Sequence, residues 1–175
     1  MQLFSQEVNN MNELKSLLKG NKEISDEYQV AVIVYAFDND NRIIFQRRGL
    51  GCRDERLKLE TIGGRVKEKD LDFRTALQRE ITEEVGTNAN IKINEFIVST
   101  YAKTYDERER KEQTWIYLVY KGTLISGELQ IAEPTKCLGY ERYKIGEVDE
   151  NELSNGAREL YKIISERYGE KIPTI

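Results

Sequence analysis

Three glutamates, Glu80, Glu83 and Glu84, share one turn of an expected helix in the stretch GGRVKEKDLDFRTALQREITEEVG, which spans residues 63–86. Like charges spaced three or four residues apart on a helix repel each other. The chain has no histidine, so a metal site would have to use other ligands, and carboxylate oxygens are the natural choice. Mg²⁺ prefers carboxylate oxygens and usually also contacts substrate phosphates. The turn therefore predicts a platform for a hard divalent cation.

The phase of this helix supports that interpretation. Phe73, Leu77, Ile81 and Val85 recur every four residues, which is typical of the buried face of a helix. At about 100° per residue, Glu84 lies within about 20° of the direction of Phe73, and the other two glutamates border the same face. The carboxylates are thus expected at the rim of the core. The alternative is a solvated acidic helix face with an ion pair to a neighbouring arginine.

The same stretch resembles the Nudix box of the Nudix, or MutT-like, family, which reads G-x5-E-x7-R-E-U-x-E-E-x-G-U with U aliphatic. The matching segments are the Gly-Gly pair and REITEEVG at residues 79–86. RIIFQRR, LETIGGRV and EPTKCLGYERYKI are similar to further strands and a loop of the family, so the resemblance covers roughly Tyr28 to Arg167. It implies fold class α/β: a Nudix-type α/β/α sandwich with a mixed β-sheet, in which the box forms a loop, a helix and a loop.

The resemblance also implies a chemistry. Nudix proteins are mostly pyrophosphohydrolases that use Mg²⁺ or Mn²⁺ and an attacking water to cleave a phosphoric anhydride in a nucleoside di- or triphosphate derivative. The alternative is a catalytically silent Nudix-fold domain that binds nucleotides or regulates, because a fold does not determine a function. The complete REITEEVG core disfavours this alternative. An isomerase of isoprenoid diphosphates is disfavoured because the chain has no histidine for its metal site.

Site residues follow from the resemblance by position. Glu80, Glu83 and Glu84 would be metal ligands, together with the backbone carbonyl of Gly64. Arg79 would pair with a neighbouring carboxylate and hold the ligands in place.

The attacking water requires a carboxylate that orients or deprotonates it. Glu133 would be the distal carboxylate that completes the site from a downstream loop. The catalytic candidates are therefore Glu80, Glu83 and Glu133, with Arg79 in support, and the sequence leaves open which acid is the base.

The box departs from the family pattern at its first acid. Counted forward from Gly64, the expected glutamate falls on Asp70; counted backward from Arg79, it falls on Leu71. The box is thus one residue longer than the pattern, with Asp70 as a shortened substitute. The loop before the helix can absorb the insertion, so metal binding is expected to survive, while the role of the first acid is left open.

Substrate contacts are expected from basic and aromatic side chains. The candidates for phosphate contacts are Arg47, Arg48, Arg65 and Lys67. Tyr105 lies close to where dinucleoside-polyphosphate members of the family carry a tyrosine. Other aromatic residues could form a stacking surface for a base: Tyr101, Trp115, Tyr140 and Tyr143. The alternative places these side chains on strand ends or in the core.

The composition limits the classes of partner that the chain is expected to bind. A length of 175 residues favours one domain, and a net charge of −4 without a basic stripe argues against nucleic-acid binding. We find no apolar run long enough to span a membrane and no leader sequence, and two cysteines fit a reduced cytoplasm. The expected partner is a small nucleotide-type substrate, and a homodimer is an open alternative.

The expected secondary-structure elements have to position the candidate site residues. Residues 1–27 are expected to form an N-terminal helical extension, and residues 28–175 the Nudix domain. The expected helix of the extension is capped by one of two asparagines and has three inner leucines: Asn10 or Asn12, and Leu14, Leu17 and Leu18. Asp70 or Asp72 would cap the box helix, and Asn155 would cap a final helix.

Two strand pairs are also expected. YQVAVIVYAF and RIIFQRR would form a hairpin around the turn DNDN. IKINEFIVSTYAKTY and QTWIYLVYKGTL would form a second hairpin with the charged tip DERERKE.

Overall fold

The computed structural model describes residues 1–106 and 109–169 and has an α/β/α architecture. Eight strands form one mixed sheet. The strands are β1 (Gln2–Phe4), β2 (Tyr28–Phe37), β3 (Ile43–Arg48), β4 (Leu59–Glu60), β5 (Ile62–Arg65), β6 (Asn90–Asp106), β7 (Lys111–Ser126) and β8 (Cys137–Tyr143). The helices are α1 (Met11–Leu18), α2 (Phe73–Val85) and α3 (Asn155–Tyr168), with a short 3₁₀ turn at Glu150–Glu152.

The sheet divides around β2. This strand pairs in parallel with β7 along its whole length, and on its other side it pairs with β5 over residues 31–34 and then with β3 only at Phe37. The expected β2–β3 hairpin therefore opens immediately after the turn. The segment β4–β5 enters the gap, because β5 pairs with β2 and β4 pairs with β3. This insertion brings the Gly-Gly turn beside helix α2.

Two apolar clusters lie on opposite faces of the sheet. The first packs α1 and α2 against one face, and the second packs α3 against the other. Since helices cover both faces, β2 is a continuous run of apolar and aromatic residues from Val30 to Phe37 instead of alternating with polar residues. Among the described residues, no helix is both long enough and apolar enough to cross a lipid bilayer.

The first 27 residues are more than a helical extension. They add an edge strand, because β1 pairs with β6, and the Phe73 N–H donates to the Asn9 carbonyl at 2.8 Å. Arg74 of α2 forms an ion pair with Glu7 at 2.7 Å. The segment is thus joined to the sheet and to the box helix by backbone and side-chain contacts.

The helix boundaries correct several expectations. Asn10 caps α1, and Asp72 caps α2, where its carboxylate accepts from the Thr75 N–H at 2.7 Å. Ser154 caps α3, so Asn155 is the first helical residue and not the cap. Leu17 was expected inside but is 47% exposed.

The second expected hairpin is present as β6 and β7. The centre of its tip, residues 107–108, lies outside the described residues.

Candidate active site

Helix α2 carries the glutamate turn at the edge of the first apolar cluster. Glu80 is buried, 9% exposed, whereas the Glu83 side chain is 45% exposed. The difference follows from helical phase, because Glu83 lies furthest from the buried face. A Cβ added to Gly64 would lie 2.6 Å from the Cδ atom of Glu80. Only glycine therefore lets β5 approach the Glu80 carboxylate so closely.

Glu84 points toward the gap in the sheet. Its Oε1 accepts from the Gln46 amide at 3.1 Å, and its Oε2 accepts from the Gly63 N–H at 2.9 Å. Burial, together with the charges of Glu80 and Glu60, raises the pKa of Glu84 to about 8, although these two hydrogen bonds act to lower it. Within the described residues, no ion pair neutralises this carboxylate. Gln46 is a contact that the sequence did not reveal.

Arg79 forms the main ion-pair centre of the site. Its Nε and Nη2 donate to the two carboxylate oxygens of Asp70 at 2.9 and 2.7 Å. The arginine also contacts the Glu80 carboxylate, lies 3.2 Å from Glu83, and donates to the Arg65 carbonyl at 3.1 Å. The expected pairing of Arg79 with a neighbouring carboxylate is confirmed.

Asp70 shows how the inserted residue is accommodated. Its side chain is only 4% exposed, and the hydrogen bond from Arg79 lowers the pKa of its carboxyl group. The loop before α2 takes up the insertion and still brings a carboxylate to Arg79. Asp70 is therefore a partner of the arginine and does not cap the helix.

A downstream loop contributes a second carboxylate. Glu133 and Glu84 line one cavity of about 360 Å³, although 48 residues lie between them in the chain. Glu133 forms an ion pair with Lys136 at 2.8 Å. The remaining lining residues come from β3, from the loop after it and from the start of β8: Gln46, Arg48, Gly51, Cys52, Arg53 and Cys137. Lys136 was not identified from the sequence, where it is one of many lysines.

Arg47 and Arg48 lie on opposite sides of the sheet. Arg47 forms ion pairs with Glu141 and Glu152, each at 2.7 Å, on the side covered by α3. Its expected contact with substrate phosphates is therefore contradicted, because successive residues of a strand face opposite sides. Arg48 lines the cavity and is held by Asp54 at 2.8 Å.

Two further expected contacts lie at the periphery. The Arg65 side chain is exposed at the end of β5. Tyr105 is 63% exposed near the tip of the β6–β7 hairpin. It lies six residues along β6 from Ser99, the residue level with Gly64 across the sheet, which is roughly 20 Å. Tyr105 is thus remote from the glutamate turn.

The other aromatic candidates lie in different parts of the sheet and do not gather at one site. Trp115 stacks on Tyr117 at a centroid distance of 6.4 Å on the α3 side of the sheet. The hydroxyl of Tyr140 donates to the Glu84 carbonyl at 2.7 Å and therefore supports the end of α2. Tyr101 and Tyr143 donate their hydroxyls to the carboxylates of Glu23 and Glu141, and Tyr101 packs on the α1 and α2 side of the sheet, opposite Trp115.

The donor set fits a hard divalent cation. All candidate ligands are oxygens, and Glu84 is a buried carboxylate that accepts two hydrogen bonds but has no ion pair with any residue that the structure describes. Gly64 is shaped to admit the Glu80 carboxylate beside its backbone. Arg79 and Lys67 neutralise the other carboxylates, and the described residues contain no group of three acidic or cysteine side chains already gathered around a common point. The residues present therefore suit a cation that joins Glu84 to its neighbours.

Comparison with known proteins gives one family and one fold. The family model described as the NUDIX domain matches residues 27–164, which is most of the chain. No curated protein matches the sequence.

Solved structures resemble the chain over nearly their whole lengths. A MutT NUDIX hydrolase from Burkholderia pseudomallei is 21% identical with a TM-score of 0.61, and the match covers 79% of this chain and 99% of that one. A possible asymmetric diadenosine tetraphosphate hydrolase from Jonesia denitrificans is 17% identical with a TM-score of 0.62, over 86% and 100% of the two chains. The NUDIX domain of Shewanella oneidensis NrtR, crystallised with ADP ribose, is 14% identical with a TM-score of 0.60, over 90% and 99%. At these identities the likeness shows the fold alone.

Proposed function

This chain belongs to the Nudix hydrolase family, whose members act on nucleoside diphosphate derivatives, and from that premise we propose that it is a divalent-metal-dependent pyrophosphohydrolase. The proposed substrate is a nucleoside diphosphate linked through a phosphoric anhydride to another group. Hydrolysis adds water across one P–O–P linkage and releases two phosphate products. The observation that carries the proposal is the junction at Glu84, where the glutamate turn, the Gly-Gly turn and the 360 Å³ cavity meet.

Nudix hydrolases generally use a divalent metal, and we assign its ligands here to Glu80, Glu83, Glu84 and the Gly64 carbonyl, with Mg²⁺ or Mn²⁺ as the ion. When bound, such an ion polarises phosphoryl oxygens and lowers the pKa of a coordinated water. Arg79 holds the first two glutamates through ion pairs.

The cavity supplies the remaining functions. Glu133 and Glu84 both line it, and we assign to one of these two carboxylates the acceptance of a proton from the attacking water. Arg48 supplies positive charge beside these carboxylates, which alone would repel a phosphate chain. Asp54 holds Arg48, so the guanidinium is oriented before substrate binds.

A substrate panel tests the proposal directly. Nucleoside triphosphates, dinucleoside polyphosphates and nucleoside diphosphate sugars would be incubated with the protein in Mg²⁺, in Mn²⁺ and in EDTA, and released phosphates and nucleotides measured. We expect turnover of at least one class in metal and none in EDTA. Tight nucleotide binding without turnover of any phosphoric anhydride would instead support a silent nucleotide-binding domain.

Glu83→Gln tests the metal platform. We expect kcat to fall about 10²-fold or more and Mn²⁺ affinity, followed by electron paramagnetic resonance, to weaken. The melting temperature should change little, because the ion pairs of this 45%-exposed side chain are at the surface. Glu159→Gln on α3 is the control, since Glu159 is also an exposed helical glutamate in an ion pair with a lysine. Equal Mn²⁺ affinity in Glu83→Gln and Glu159→Gln would contradict the assignment of Glu83 as a metal ligand.

A further inference from the structure

The backbone of Lys136 is fixed from three directions. Its N–H donates to the Glu133 carbonyl at 2.9 Å, and its own carbonyl accepts from the Gly49 N–H at 2.6 Å and from the Cys52 Sγ at 3.2 Å. A Cβ on Gly49 would lie 2.9 Å from the carbonyl carbon of Lys136. The two loops are therefore docked with no space between them, and the Cα of Lys136 has a defined position at the edge of the cavity.

The side chain of Lys136 is held far less tightly than its backbone. It is 58% exposed, and its partner Glu133 is 41% exposed. An ion pair this accessible to water contributes little to folding stability and exchanges readily. The Lys136 ammonium lies on a flexible four-carbon chain, so it can leave Glu133 without movement of the backbone.

The cavity places Lys136 together with a second cation. Arg48 reaches the same cavity from β3, and Glu84 lies on the wall with them. Arg53, from the loop after β3, lines the cavity too, so basic side chains from separate elements flank the carboxylates on which the proposed chemistry depends. A phosphate chain entering the cavity would meet positive charge from both elements.

We propose that Lys136 binds a phosphate of the substrate and that it exchanges its ion pair with Glu133 for that phosphate, which frees the Glu133 carboxylate. This inference rests on the proposed function, since it assigns a specificity residue to the same site. While the cavity holds no phosphate, Glu133 is neutralised by Lys136. Substrate binding and release of the distal acid are thereby linked through one side chain.

Lys136→Met and Lys136→Arg test the binding role. The readouts are the dissociation constant of inorganic pyrophosphate with Mg²⁺, measured by calorimetry, and KM and kcat for a substrate from the panel. We expect Lys136→Met to weaken pyrophosphate binding and raise KM roughly tenfold, the scale of one hydrogen bond to a charged group, while Lys136→Arg retains most of both. Lys162→Met is the matched control, because Lys162 also forms an exposed ion pair with the glutamate three residues before it.

A double-mutant cycle tests the exchange itself. Glu133→Gln leaves Lys136 unpaired, so we expect this variant to bind pyrophosphate more tightly than the wild type although its kcat falls. When Lys136 is already methionine, Glu133→Gln should no longer tighten pyrophosphate binding, so the double variant should bind pyrophosphate no more tightly than Lys136→Met alone. A gain that persists there would reflect general charge repulsion and would overturn the exchange.

The outcomes also separate the inference from the proposed function. Normal turnover by the wild type with unchanged pyrophosphate affinity and KM in Lys136→Met would overturn the inference alone. Absence of both turnover and pyrophosphate binding in the wild type would overturn the proposed function and the inference with it.

Discussion

At the residue scale, the site depends on how Arg79 distributes one positive charge among several acids. Asp70 accepts hydrogen bonds from two N–H groups of Arg79. The pair is nearly buried, with the Arg79 side chain 15% exposed and the Asp70 side chain 4% exposed. Glu80 and Glu83 share a third donor. The arginine therefore relieves the repulsion that the glutamate turn would otherwise impose on α2. Asp70, in turn, fixes the direction from which Arg79 approaches.

Asp70→Asn tests this arrangement. Breaking a buried ion pair leaves Arg79 undercompensated, and we expect the free energy of unfolding to fall by about 3 kcal/mol at neutral pH. The folded-state pKa of Asp70 lies below its ordinary value of 3.8, so its stabilising contribution is complete above that pH. The contribution is lost as the pH falls through the lowered folded-state pKa.

The measurement is urea denaturation of wild type and variant between pH 7 and pH 3. The difference in the free energy of unfolding between wild type and variant should be smaller at pH 3 than at pH 7. Glu68→Gln, in the same loop but exposed, is the control and should leave stability unchanged. A difference that does not vary with pH would show that the ion pair is not its source.

At the element scale, the loop after β3 depends on two glycines. The N–H of Gly51 donates to the Thr135 carbonyl at 2.7 Å, and the N–H of Gly49 donates to the carbonyl of the following residue, Lys136. A Cβ on Gly51 would lie 3.0 Å from the Thr135 Cβ and 3.1 Å from its carbonyl carbon. The Gly-Leu-Gly sequence thus allows one loop to lie directly on the loop that carries Glu133.

Gly51→Ala is expected to separate the two loops. We expect a loss of about 1–3 kcal/mol, as for other overpacked contacts, and a higher KM because the cavity wall moves. Gly156→Ala is the control: a Cβ there meets no atom within 4 Å, so alanine should stabilise helix α3 by about 0.4–1 kcal/mol. Thermal and urea unfolding would measure both. Equal effects of the two substitutions would contradict the docking role of the glycine pair.

At the scale of the whole molecule, the N-terminal segment belongs to the same cooperative unit as the sheet. Leu14 of α1 is fully buried, with no exposed surface, in the cluster that also contains residues of α2 and β2. Leu17, on the same helix, is 47% exposed. The pair therefore provides a matched comparison between a buried and an exposed leucine.

Leu14→Ala is expected to destabilise the entire domain by about 2–5 kcal/mol, and Leu17→Ala to have little effect. Unfolding would be followed by the fluorescence of Trp115, the chain's one tryptophan, which lies on β7 and stacks on Tyr117 on the opposite, α3 side of the sheet. The fluorescence midpoint of Leu14→Ala should fall together with the helical circular dichroism signal. An unshifted tryptophan midpoint would identify α1 as an independently melting appendage.

The sequence by itself determined what depends on neighbours within a few residues. The period of the apolar residues placed the glutamates of α2 at the rim of the core, and α2 ends at Gly86, which has a φ of 81°. The resemblance of residues 63–86 to the Nudix box indicated the sandwich. The resemblance of the box to one family was confirmed over residues 27–164.

The tertiary structure decided what depends on contacts between distant segments. Strand alternation directs Arg47 and Arg48 to opposite sides of the sheet, but only the packing of the neighbouring elements decided that Arg48 is the one that faces the cavity. The partner of Arg79, and the position of Glu133 and Lys136 at the cavity of Glu84, depend on how loops dock. Periodicity describes one element at a time, whereas register and loop docking arise from the packing of all elements together, so no local pattern in the chain records them.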